Sequence, residues 1–154
     1  MSYDLIPPRK FLRNCRKNRK TPKLAESMGE ELSGSDVLLR TFILRRLLLR
    51  EVLQPDEKYV GILIPPSCGG AIVNAALPLV GRIGVNLNYT LTRKEMEYCI
   101  AECGIKHVLT TRRVVDKLNL ELDNLVFLDD LRPKVSTMDK VAAAFQAFAM
   151  PISL

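Results

Sequence analysis

The run Tyr59–Ile64, YVGILI followed by Pro65-Pro66, constrains this chain more than any other stretch. A strand with one wet face alternates polar and apolar side chains, whereas a strand covered on both faces reads as an unbroken apolar run. The run has strand length, and the two prolines bar its continuation as a helix or a ladder. Ser67 stands next as an N-cap, and the helix it opens is expected to reach about Val80. A buried strand followed at once by a helix implies a sheet enclosed between helical layers.

The rest of the chain repeats that unit. Ile83–Leu87 reads as a strand, and Thr92-Arg93-Lys94-Glu95 opens a helix as a capping box, with Gly104 placed to end it. Met96, Cys99, Ile100 and Cys103 give that helix one apolar stripe. His107–Thr110 and Leu125–Leu128 read as strands around a short helix at Arg112–Leu118, and an amphipathic helix is expected near Asp139–Met150. Such alternation calls for right-handed crossovers, so the expected fold is α/β: a partial doubly wound, mostly parallel sheet with helices on both faces. A small β-hairpin should precede it, Lys23–Ser27 and Glu30–Ser33 around a Met28-Gly29 turn. Between hairpin and first buried strand, Val37–Leu53 reads as a long helix with two apolar stripes. Val37, Leu44, Leu48 and Val52 form one, for the sheet; Leu39, Ile43 and Leu47 form the other, between Arg40, Arg46 and Arg50, and need a second partner.

With 154 residues, 47% hydrophobic and 26% charged, the chain can bury a real core and is too apolar for intrinsic disorder. Its charge is uneven: residues 1–50 hold 12 Lys+Arg against 5 Asp+Glu, and the net +6 is therefore an N-terminal property. Residues 1–22 read as a basic N-terminal arm, densest over Arg9–Lys23. That arm is either simply solvated or attractive to phosphates, an anionic membrane face or an acidic carrier protein. Nucleic acid is not an expected partner, because only Phe11 is available there to stack a base. Met1–Lys10 lacks the apolar core of a signal peptide, and Gly61–Gly81 is broken by Pro65, Pro66 and Pro78, so neither secretion nor a membrane span is expected and the location should be cytoplasmic. The 4 cysteines are irregularly spaced and read as free thiols.

Three clusters offer chemistry. Ser67-Cys68-Gly69-Gly70 lies at a strand-to-helix junction, where free N–H groups could hold an anion at Ser67 and Gly69, or where the glycines merely pack behind the cap. Cys68 sits where a helix terminus favours thiolate, yet a nucleophile needs a base and nothing in the sequence brings His107, the single histidine, beside it. No catalytic residue is assigned. Cys99, Cys103 and His107 supply three metal ligands where structural zinc wants four, and both cysteines lie on the apolar stripe, so no metal site is expected. Asn86, Asn88, Tyr89 and Thr90 close a strand at its C-terminal end, the edge at which open parallel sheets bind ligands. They serve either that purpose or only as a connecting loop.

The order of these blocks carries a resemblance. Hairpin, Glu30-Glu31-Leu32-Ser33, Leu/Arg helix and YVGILIPPS resemble the start of the large domain of the AMP-forming, acyl-activating (adenylate-forming) enzymes, with Pro66 where that family usually has Asn. The stretch from Ala75 to Asn88, AALPLVGRIGVNLN, is similar to the family's alanine-rich helix, glycine, strand and Pro-Leu-Asn block. GRIGVNLNYTLT, MEYCIAECGIKHVLTTRRV and DKVAAAFQAFAMP most resemble acyl-[acyl-carrier-protein] synthetases and their 2-acylglycerophosphoethanolamine acyltransferase fusions, over about residues 11–150. The resemblance implies a fatty acid ligase that uses ATP and Mg to make acyl-AMP and then passes the acyl group to the thiol of acyl carrier protein or coenzyme A. It implies that Asn88, Tyr89 and Thr90 line the tunnel by which that thiol arrives. The family's Thr/Ser-Gly-rich phosphate loop ending in Pro-Lys-Gly is absent, so residues 23–154 are expected to be an incomplete N-terminal subdomain of a fragment, inactive alone and binding no cofactor itself. Its expected partners are carrier protein or coenzyme A, the missing remainder of the ligase, and the inner membrane face at its periphery. The alternative is a non-enzymatic basic module that docks on an acyl carrier protein or an anionic membrane.

Overall fold

The structure, a computed structural model, describes residues 7–27 and 29–151. In chain order it has α1 (Pro7–Lys17), β1 (Pro22–Ala25), β2 (Glu31–Ser33), α2 (Gly34–Glu51), β3 (Tyr59–Ile62), α3 (Cys68–Ala76), β4 (Ile83–Asn86), α4 (Arg93–Glu102), β5 (Val108–Thr110), α5 (Arg112–Leu118), β6 (Leu125–Phe127), α6 (Leu128–Leu131) and α7 (Thr137–Phe148). Strands β1 and β2 pair antiparallel as the expected hairpin; Met28 of its turn lies outside the described residues. The other four strands form one parallel sheet in the order β4-β3-β5-β6. The expected α/β class, the parallel sheet and the separate hairpin are all present.

Strand β3 is central and covered on both sides, which is why it tolerates no polar side chain. Val60 and Ile62, with Leu109 of β5, pack against Leu47 and Leu48 of α2 and Val73, Ala76 and Leu77 around α3. On the other face Leu63, Leu87 and Val108 meet Met96 of α4 and Leu120 beyond α5. Helix α3 stops earlier than expected, at Ala76, because Pro78 has no N–H to continue it, and a short 3-10 turn covers Pro78–Val80 instead. Helix α2 starts earlier than expected, since Ser33 and Asp36 cap it reciprocally. Helix α4 ends as foreseen, with Gly104 at a φ of 60° that other residues rarely adopt.

The two stripes expected on α2 are divided along the helix rather than around it. At 18 residues α2 is about 27 Å long, roughly twice the length of the strands it covers. Only its C-terminal half lies on the sheet. Its first half, Val37, Leu38 and Phe42 with Leu39 and Ile43, packs outward into a second core against Leu12 and Cys15 of α1 and Ala143 and Ala147 of α7. Leu47 accordingly joins the sheet side, and Val37 the outer side.

Part of the segment read as a basic arm is therefore structural. Leu12 and Cys15 are 0% exposed. Helix α1 approaches α2 so closely that a Cβ on Gly34 would collide with the carbonyl oxygens of Cys15 and Asn18. Arg16 then crosses to α7, its Nε donating to the Ala147 carbonyl at 2.7 Å and its Nη2 to that of Gln146 at 3.1 Å, where a helix C-terminus favours a cation.

Helix α7 is held at its other end by Asp139, 1% exposed. Its Oδ2 accepts from Ser136 N (3.0 Å) and Oγ (2.8 Å) in a capping box, and Arg46 Nε (3.0 Å) and Arg50 Nη1 (2.9 Å) donate to the same carboxylate from α2. The Ser136 N–H, then Arg50, hold this carboxyl well below the usual carboxylate range. Because the folded value is depressed, the stabilisation is complete above the ordinary value of 3.8 and is lost as pH falls through the folded value. Asp139→Asn is expected to lower the urea midpoint at neutral pH and to flatten the fall in stability below pH 4; equal acid limbs for the two proteins would show that the carboxylate does not hold α7.

Candidate functional site

The C-terminal edge of the parallel sheet gathers the loops after β3, β4 and β5. Main-chain bonds fix this rim: Leu63 N donates to the Leu109 carbonyl at 2.9 Å, Leu87 N to that of Ile62 at 2.8 Å, and the buried Thr110 Oγ1 to that of Leu63 at 2.8 Å. Both clusters singled out in the sequence, Ser67 with Gly69 after β3 and Asn88, Tyr89 and Thr90 after β4, follow neighbouring parallel strands and so belong to this one edge.

In the β4 loop, Asn88 Oδ1 accepts from Thr90 N (3.0 Å) and Thr90 Oγ1 (2.8 Å), and Leu91 N closes the turn on the Asn88 carbonyl at 3.2 Å. Asn88 and Thr90 thereby shape the loop, a role their types have in turns. Tyr89 is 44% exposed between them, and no hydrogen bond spends its hydroxyl among the described residues. Asn86 is drawn away from the loop: its amide exchanges hydrogen bonds of 3.2 Å with Asn74 of α3. The loop thus presents one aromatic side chain on a preformed turn.

The β3 loop is already occupied by the protein itself. Ser67 caps α3 by accepting from Gly70 N at 3.1 Å, and Cys68 N donates to Glu26 Oε2 at 2.9 Å. The helix terminus that the sequence offers to an external anion at Ser67 and Gly69 therefore holds a carboxylate from the hairpin. A depression of about 300 Å³ beside it is lined by Leu24, Ala25, Glu26, Ser67 and Cys68. With a carboxylate in its wall it does not fit the phosphates of ATP, and no step is derived through ATP or Mg from these residues.

Nor is Cys68 an activated thiol. Burial, then the Glu26 and Glu30 carboxylates, push its pKa up, outweighing the lowering by the Arg40 guanidinium. Glu26, Glu30 and Cys68 bring ligand-type atoms within 4.8 Å of one another. Each is engaged: Glu26 by Cys68 N, Glu30 by Arg40 at 2.6 Å, and the thiol by its own proton. The trio ties the hairpin to α3. Sequence spacing could not have found it, since its members come from separate elements.

Cys99 and Cys103 are half-buried against the α4 side of the sheet core, as their stripe required. His107 turns instead to Glu57, Nδ1 lying 2.9 Å from Oε2. Glu57 is 2% exposed, and this pair, which the sequence did not signal, pins the lead into β3 to the start of β5. In a native thiol titration Cys99 and Cys103 are expected to react first, and Cys15 and Cys68 only on unfolding. Labelling of Cys68 at the rate of Cys99 would contradict the seating of the hairpin on α3.

A four-stranded parallel sheet with helices on both faces and a detached hairpin also occurs in solved structures. VinN in complex with 3-methylaspartate superposes with a TM-score of 0.72 at 14% identity, covering 96% of this chain and 40% of that one. O-succinylbenzoate coenzyme A synthetase (MenE) from Bacillus subtilis in complex with AMP gives 0.68 at 15% identity, over 80% of this chain and 32% of that one. Klebsiella oxytoca NpsA in complex with 3-hydroxyanthranilyl-AMSN gives 0.72 at 12% identity, over 86% and 27%. At these identities the shared property is the fold, and the chain spans two fifths or less of the length of each. The family model of the AMP-binding enzymes matches residues 11–148, and the chain belongs to that family.

Proposed function

We propose that this chain forms the N-terminal part of an AMP-forming fatty acid ligase, which joins a fatty acid to AMP from ATP and then passes the acyl group to the thiol of acyl carrier protein or coenzyme A. The observation that carries the reading is the family match over residues 11–148, which runs through every strand of the parallel sheet and the rim loops at its C-terminal edge. The fatty acid and carrier-protein specificity rests on the resemblance of GRIGVNLNYTLT and MEYCIAECGIKHVLTTRRV to acyl-[acyl-carrier-protein] synthetases. Within that reading Asn88 and Thr90 set the turn and Tyr89 contributes the wall against which the acceptor's thiol arm slides. The chain does not carry adenylation unaided. Its helix terminus at Ser67 is filled by Glu26, and the Gly-rich loop that would surround the phosphates is not in its sequence.

The isolated chain is expected to release no pyrophosphate with fatty acid and ATP; turnover above a buffer control would overturn that statement. In a polypeptide that continues this segment with the rest of the AMP-binding fold, fatty-acid-dependent pyrophosphate release is expected. There Tyr89→Ala should raise KM for the acceptor thiol roughly five- to tenfold, the equivalent of the about 1 kcal/mol of one aromatic contact, and leave pyrophosphate release intact. Loss of adenylation in that variant, or an unchanged KM, would remove Tyr89 from the tunnel.

A further inference from the structure

We propose that α1 and α7 together form a docking surface for an anionic lipid bilayer. From Pro7 to Ala25 the sequence has 8 Lys and Arg and no Asp or Glu. Folding divides these cations. Leu12 and Cys15 turn α1's apolar side into the core, which leaves Lys10 and Lys17, two turns apart, on the opposite side of the helix. Lys20 continues the exposed basic run in the turn that follows. None of these three lysines forms an ion pair or hydrogen bond among the described residues. Of the acidic groups on the neighbouring elements, Glu26 is committed to Cys68 N, Glu30 to Arg40, Asp36 to the Ser33 cap and Asp139 to Arg46 and Arg50, while Glu31 stands exposed in β2.

Charge alone would suit any polyanion; the second helix narrows the choice. Helix α7 buries Asp139, Ala143 and Ala147, and its outer side carries Met138, Val141 and Phe145, which are 71%, 60% and 61% exposed. Their spacing of three and four residues makes one continuous apolar stripe. The two helices are tied together at the end of α7, by Arg16 on the Ala147 and Gln146 carbonyls and by the Arg19 guanidinium 4.8 Å over the Phe148 ring. Unneutralised lysines on the outer side of α1 and exposed Met, Val and Phe on the outer side of the helix tied to it match the two chemistries of an anionic bilayer's interface. Such an interface offers negative headgroups to the first set and the acyl boundary to the second. A purely acidic chain without apolar side chains would satisfy only the lysines. The inference stands apart from the proposed ligase reaction, because it needs no nucleotide and no thiol acceptor.

Co-sedimentation of the full chain with vesicles tests it. Binding is expected to phosphatidylcholine vesicles containing phosphatidylglycerol, but not to phosphatidylcholine alone, and it should weaken steeply with added salt. The triple variant Lys10→Gln, Lys17→Gln, Lys20→Gln alters only exposed side chains and should weaken binding about 100-fold, from the contribution of each basic residue near an anionic leaflet. Phe145→Ser should weaken binding about tenfold and preserve its salt dependence, a contribution that a purely ionic contact would lack. Equal binding to neutral vesicles, unaltered binding by the triple variant with an unchanged circular dichroism spectrum, or capture by polyglutamate but not by vesicles would overturn the proposal.

Discussion

Strand β3 is the element on which the remainder depends. It lies inside a parallel sheet, so each of its faces must meet helices and each of its edges another strand. Val60 and Ile62 on one side and Leu63 on the other satisfy the first demand, β4 and β5 the second. Unpaired backbone at this depth would cost about 1–3 kcal/mol per group, which is why both flanking strands are in register over the buried positions. The rim loops inherit their positions from that register.

Around the sheet, α2 does two jobs in sequence along its axis. Its C-terminal half covers β3 and β5, and its N-terminal half reaches past the sheet to hold α1 and α7. A helix so much longer than the strands would otherwise expose several apolar residues. The outer core removes them from water, and Arg46 and Arg50 fix α7 by its capping carboxylate. The hairpin serves the same end from the other side, with Glu26 seated on α3 and Glu30 on Arg40 of α2.

Membership of the AMP-binding family and the geometry of the rim fit together in one respect and part in another. The parallel sheet presents its C-terminal edge with a preformed turn at Asn88, suited to receiving part of a ligand. The neighbouring helix terminus, a natural phosphate site in many α/β folds, is closed by a carboxylate. The rim thus offers a preformed turn after β4 and, after β3, a helix terminus already satisfied from within the chain.

Local pattern determined the elements: YVGILI as a doubly covered strand, Thr92 and Glu95 as a capping box, the α/β alternation and the hairpin were all readable because they depend on neighbours within a few residues. The rim location of Asn88, Tyr89 and Thr90 followed from strand direction alone. What the sequence could not decide was anything requiring two distant elements to meet. That Glu26 fills the α3 terminus, that Glu57 takes His107, that α2 divides lengthwise and that part of the basic segment enters the core depend on separations of tens of residues closing in space. Such contacts are set by shape and by the satisfaction of buried polar groups, and periodicity carries no trace of either.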